Sequence, residues 1–158
     1  MVSVEDLKKI YIMHRLNEEM IGKIAPFVET FDYDNNAVIF EQSQEAKTFY
    51  MLVSGKVLLK SEVSQAVTIS LGSIKEAYSF GWSSLMEGGS YTSQAACAEP
   101  CRVFQINGQK FQEIMRDDHS LGFLIMQGVA RILENRLTRR TEQFIKTLRK
   151  QMEIWDLW

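Results

Sequence analysis

The chain has 158 residues, enough for one ordinary core with little left over, so a single domain spanning 1–158 is expected. Hydrophobic residues at 46% and charged residues at 24% exclude a disordered tail, and a net charge of -2 excludes a general nucleic-acid binder, leaving any basic footprint local. Two cysteines, Cys97 and Cys101, exclude a disulfide framework and a four-thiolate cluster, and are expected as reduced, partly buried thiols. Glu5 and Asp6 stand where a secretory signal would be positive, and no apolar run is long enough to span a bilayer. A cytoplasmic chain without membrane contact is expected.

In chain order, residues 1–29 read as two short helices. Ser3 precedes Glu5, Asp6, Leu7, Ile10, Tyr11 and His14, and Asn17 precedes Glu18, Glu19, Met20, Ile21 and Ile24, ending near Pro26. Each opens on a side chain able to accept from the free first-turn amides. Residues 30–107 read as strands: 37–40, 48–53, 56–60, 67–71, 92–97 and 102–106 are short β-branched or aromatic runs between polar turns. Ser54-Gly55 suits a tight hairpin, and Glu99-Pro100 breaks the ladder. Many short strands without interleaved helices predict a mainly β fold, a jelly-roll barrel (double-stranded β-helix) with short N-terminal helices and one long C-terminal helix.

Residues 109–156 are expected to be helical. Lys110–Met115 forms a short helix, and Asp117-Asp118 caps a long one from about His119 to Glu153. On the latter Met126, Val129, Leu133, Leu137, Phe144, Leu148, Met152 and Trp155 recur mostly at spacings of three, four or seven. A helix of roughly 50 Å exceeds what so small a barrel can cover, so this stripe is read as the seam of a homodimer. The alternative is a helix folded back on its own barrel.

The pattern Phe49-Tyr-Met-Leu-Val-Ser-Gly-Lys-Val57, then Ser79-Phe-Gly-Trp-Ser-Ser-Leu-Met86, then Ala98-Glu-Pro-Cys-Arg-Val103, followed by a long helix, resembles the cyclic-nucleotide-binding domain, the effector domain of catabolite-activator and FNR-like regulators. The resemblance runs from about Leu7 to Leu148. It implies a regulatory, non-catalytic domain in which a Phe-Gly-Glu turn and a nearby arginine hold a cyclic phosphate and ribose. On that basis the ligand-binding candidates are Phe80, Gly81, Trp82, Ser83, Ser84, Leu85, Tyr91, Thr92 and Ser93, with Arg136 of the long helix, or Thr138 or Arg139 near it, facing the ligand. The departures are specific. Trp82 stands at the glutamate position and Tyr91 or Thr92 at the arginine position, and no arginine occurs between Arg15 and Arg102. Lys75 could add a point charge without the planar fork. Two early glycines of the family are replaced near Asn36 and Ser43. The family's DNA-reading members carry a helix-turn-helix beyond the long helix, and no DNA-binding domain is expected here.

Two readings follow. In the first, a small, nucleotide-like or otherwise anionic effector binds at the 80–85 lip and the long helix signals the event, cyclic AMP itself being disfavoured. In the second, the cassette is degenerate, Trp82 plugs the pocket and the chain is a dimeric protein-interaction module without a small ligand; Trp82 is otherwise read as stacking on a different ligand or as core. A cupin-type metal enzyme needs histidines inside the barrel, but His14 and His119 lie on helices. No catalytic residue, metal site or tightly bound cofactor is expected, haem through Cys97, Cys101 or His119 being a minor alternative. Seven basic residues and two acids lie between Arg131 and Lys150, read as a solvated basic face or a weak nucleic-acid contact.

Overall fold

The computed structural model describes residues 1–156. The N-terminal start signals act as read. The Ser3 hydroxyl accepts from the Asp6 amide to open α1 (Val4–Leu7), and the Asn17 side chain accepts from the Met20 amide to open α2 (Glu18–Ile24). The first helix is shorter than its apolar spacing suggests. It stops at Leu7, and Tyr11–Met13 is a separate 3-10 turn, because the Tyr11 amide donates to the Ala77 carbonyl and not to a residue one helical turn back.

Eight strands follow: β1 (Val28–Tyr33), β2 (Val38–Phe40), β3 (Thr48–Ser54), β4 (Val57–Ser64), β5 (Val67–Ile74), β6 (Ser79–Phe80), β7 (Gln94–Cys97) and β8 (Cys101–Asn107). They form two antiparallel four-stranded sheets, β1-β8-β3-β6 and β2-β7-β4-β5, with the jelly-roll arrangement expected, but the sheets face each other without closing into one hydrogen-bonded barrel.

The Ser54-Gly55 turn is not a hairpin. Gly55 does take the left-handed conformation, φ 95, but β3 pairs with β6 and β8 while β4 pairs with β5 and β7, so the turn carries the chain from one sheet to the other. Glu99-Pro100 makes the same crossing between β7 and β8, and the two corners abut: the Cys101 thiol donates to the Lys56 and Glu99 carbonyls. Asn36 and Ser43 keep the left-handed turns without glycine, at φ 66 and 69.

The core between the sheets comprises Phe40, Tyr50, Leu52, Val57, Leu59, Ile74, Phe80, Tyr91, Ala95, Cys97, Cys101 and Val103. Both cysteines are free and buried. Burial, with Cys101 adjoining, pushes the Cys97 thiol up to about 12, since a thiolate there would be stripped of water. The outer face of the first sheet buries Phe49 against Phe111 of α3 (Gly108–Asp117).

The chain divides into two compact units, Met1–Ile125 and Met126–Trp158. The first includes the start of α4 (His119–Trp155), whose N-terminus is capped by Asp118: its carboxylate accepts from the Leu121 amide at 3.0 Å and pairs with Lys23 at 2.8 Å. Among the described residues the second is the remainder of α4, followed by Asp156. There Met126, Leu133, Leu137, Phe144 and Leu148 are exposed, as are Met152 and Trp155. Val129 differs from the stripe it was grouped with, because it is only 2% exposed in the single chain.

Candidate functional site

β6 sets up the site. Tyr50 pairs with Phe80 and Met51 with Ser79, so the strand delivers Phe80 to the interior and places Gly81 at the strand's end. Gly81 has φ 77, and a Cβ there would meet the Tyr50 ring at 3.0 Å and the Thr48 carbonyl at 3.1 Å. Only glycine makes this turn without strain. It opens a four-residue 3-10 helix, Trp82–Leu85, in which the Ser84 amide and hydroxyl both donate to the Gly81 carbonyl, at 3.1 and 2.7 Å. Ser84 and Leu85 are buried, while Trp82 and Ser83 are half-buried. The Ser84 carbonyl accepts from the Gln112 side chain at 2.9 Å, which ties the lip to α3.

Across the interior, Tyr91 is 4% exposed while its neighbour Thr92 faces solvent. Its hydroxyl donates to the Thr48 carbonyl at 2.7 Å and accepts from the Thr48 amide at 3.1 Å. Its ring lies flat on Phe40, with centroids 3.7 Å apart and planes 15° from parallel. Phe40 in turn touches Tyr50 and Phe80, at 5.6 and 6.0 Å, and Tyr50 and Phe80 stack at 5.1 Å. Four rings thus pack together behind the lip. Burial first, and then the neighbouring Tyr91, push the Tyr50 phenol far up, and burial raises Tyr91, so both remain neutral.

The fold therefore brings Phe80, Gly81 and Tyr91 together around Tyr50, with Ser84 and Leu85 behind them; Ser93 is buried and Thr92 points away. Arg136 belongs to the second unit, where it is half-buried. Desolvation, followed by the charges of Arg140 and Arg139, lowers its guanidinium to about 10. Arg102, the first arginine after Arg15, is committed to the outer face of the sheet, where it forms a two-pronged pair with Asp32 at 2.7 and 3.1 Å. Among the described residues no group of three or more metal-ligating side chains occurs, and no helix is long and apolar enough to cross a membrane.

The sequence alone did not single out Phe40. The signal was there in the 37–40 run, whose last residue faces inward opposite Ala95.

A model of the cyclic nucleotide-binding domain matches residues 30–118, more than half of the chain. The chain belongs to the cyclic nucleotide-binding domain family. This is a regulatory, signalling family. Over 132 residues, 80% of this chain, it is 28% identical to the global nitrogen regulator of Nostoc sp. (strain PCC 7120), of whose length it spans 55%. A Geobacter metallireducens GS-15 protein, described as a candidate cyclic nucleotide-binding protein, is 30% identical and superposes with a TM-score of 0.77 over 87% of this chain and 99% of its own. The sensor domain of the transcriptional regulator DNR of Pseudomonas aeruginosa shares the fold at 18% identity, with a TM-score of 0.70 over 85% of this chain and 90% of its own.

Proposed function

We propose that the chain is a non-catalytic regulatory domain in which the place of a cyclic nucleotide is taken by the protein's own rings, so that it signals without cyclic AMP. The observation that carries this reading is Tyr91 stacked on Phe40 and bonded to the Thr48 backbone. A cyclic phosphate at the lip would meet only the neutral hydroxyl of Tyr91 or Thr92 where the family places a guanidinium, and losing a charge-assisted hydrogen bond of that kind costs about 1.5–3 kcal/mol. The ribose would meet the Trp82 indole where the family has a carboxylate. Ligand entry would also have to unstack Tyr91 and free both Thr48 backbone groups.

Output runs through α3 and α4. The lip is tied to α3 by Gln112, and α3 leads into the Asp118 cap of α4, so a change in the lip would reach the long helix through direct contacts. The exposed stripe Met126, Leu133, Leu137, Phe144 and Leu148 serves self-association of two α4 helices. Leu137→Glu is expected to turn a dimer in light scattering into a monomer; a monomeric parent chain at every concentration would refute the seam.

One observation favours a second reading, in which an anionic effector other than cyclic AMP is sensed. Burial first, and then the charges of Arg140 and Arg139, hold the Arg136 guanidinium of α4 down to about 10, an environment that an added anion would relieve. Calorimetry against cyclic AMP, cyclic GMP and a cyclic dinucleotide separates the readings. No heat with any of the three supports the self-filled domain, binding of the dinucleotide alone supports the second reading, and micromolar cyclic AMP binding overturns the main proposal.

A further inference from the structure

The two sheets end in four edge strands, β1, β6, β2 and β5. Edge strands resist pairing with other chains by being charged or very short. β1 carries Glu29 and Asp32, β2 has three residues and β6 has two. β5 has neither protection: its eight residues, Val67–Ile74, include no charge and no proline. Its backbone pairs with β4 on one side and with no other strand among the described residues. Ile69 lies opposite Ser61, on the face that carries Val57 and Leu59 into the core, and Val67 and the half-buried Leu71 share that face. Val67 and Ile69 are 48% and 45% exposed, so the core-facing side of this hairpin runs out uncovered. One register shift, between Leu59 and Lys60, falls at Leu71, and a second, between Glu62 and Ser64, leaves Val63 over on β4 beside Val67 and Thr68, so 68–70 keep unbroken pairing with β4.

We propose that β5 is a self-pairing edge, by which two copies of the chain join β5 to β5 antiparallel about a two-fold axis at Ile69 and extend one four-stranded sheet across both. The edge itself specifies this occupant. The pairing sets Ile69 against Ile69 on the core-facing side and Thr68 against Ser70 on the other, matches of the kind that stabilise cross-strand neighbours, with Val67 towards the irregular Leu71. A two-fold interface requires such self-complementarity. The flanking strands agree in charge. Lys60 lies opposite Ser70 and Glu62 opposite Thr68, so the axis puts Lys60 of one copy on the row of Glu62 of the other, three strand spacings or about 14 Å away, and brings no like charges together. One strand pair is a small interface, so this association is weak and depends on concentration. The proposal requires neither the α4 seam nor any ligand.

Cysteine cross-linking of the full chain tests it. Directly facing residues bring their Cβ atoms to about 4.5–5.5 Å, within reach of a disulfide. Ile69→Cys is therefore expected to give a disulfide-linked dimer under mild oxidation. Gln65→Cys, four residues from the axis and so about 27 Å from its counterpart, is expected to stay monomeric on the same gel. Should Ile69→Cys fold poorly, a mixture of Thr68→Cys and Ser70→Cys chains is expected to cross-link faster than either alone. Introducing Leu137→Glu is expected to leave the Ile69→Cys cross-link intact, which separates this edge from the α4 seam. Equal cross-linking of Ile69→Cys and Gln65→Cys, or none from either the Ile69→Cys chain or the mixture, would overturn the proposal, the latter outcome pointing to a foreign strand on this edge.

Discussion

The Tyr91 ring lies flat on Phe40 at 3.7 Å and donates its hydroxyl proton to the Thr48 carbonyl at 2.7 Å. A polar side chain thereby becomes part of the core, because the one group that would suffer from burial is satisfied by backbone. The same two contacts hold the ring in place behind the lip. Stacking fixes the ring, and the hydrogen bonds fix its far end.

Tyr91→Phe keeps the ring and leaves the Thr48 carbonyl without its phenol donor. It is expected to destabilise the fold by about 1–3 kcal/mol. Tyr91→Ala also leaves a cavity and is expected to cost about 3–5 kcal/mol. Urea unfolding of the three proteins checks the order; equal stability of Tyr91→Phe and the parent would mean that the hydrogen bond contributes nothing.

Gly81→Ala places a methyl 3.0 Å from the Tyr50 ring and 3.1 Å from the Thr48 oxygen, at φ 77. Left-handed backbone at a residue with a side chain costs about 1–3 kcal/mol, and the contacts add to it. The expected result is a lower melting temperature together with altered near-ultraviolet signals from Tyr50 and Tyr91. An unchanged melt would show that the turn relaxes freely.

Much of this was legible in the sequence, and the failures share a cause. Ser3, Asn17 and Asp118 announce helix starts through local chemistry, and each makes the expected hydrogen bond. β3, β4, β5 and β8 stand out because β-branched and aromatic residues cluster in them. Ser54-Gly55 announces a turn, but local chemistry does not say to which sheet the next strand returns. β6 is only two residues long and exists because Tyr50 and Met51 pair with it, which no window on 79–80 displays. Whether Tyr91 faced in or out was likewise undecidable, since it depends on Phe40, 51 positions earlier in the chain.

Cys97 is expected to resist alkylation. Burial and the adjoining Cys101 hold its thiol up at about 12, against about 8.5 in an unfolded chain. The raised value favours the folded state below about pH 8.5, and that contribution is lost as the pH climbs towards 12. Iodoacetamide at pH 8 is expected to label neither cysteine in the native protein and both in denaturant. Rapid native labelling of Cys97 would contradict the burial argument.

Asp118 is held below the ordinary carboxylate value, first by the Leu121 amide and then by Lys23. A lowered value stabilises the fold above the unfolded pKa of about 3.9 and ceases to do so as the pH falls through the folded one. Asp118→Asn keeps an acceptor for the Leu121 amide and is expected to melt above Asp118→Ala at pH 7. The gap between the parent and Asp118→Asn is expected to close as the pH falls below the folded value. A gap that stays constant over the acid range would assign the effect to something other than this charge.

The most direct test of the self-filled site is a crystal structure of the full chain grown in millimolar cyclic AMP. The account predicts Tyr91 still stacked on Phe40, with no nucleotide between Gly81–Ser84 and the ring cluster. Tyr91 swung out, with a cyclic phosphate seated against the Gly81–Ser84 turn, would contradict it.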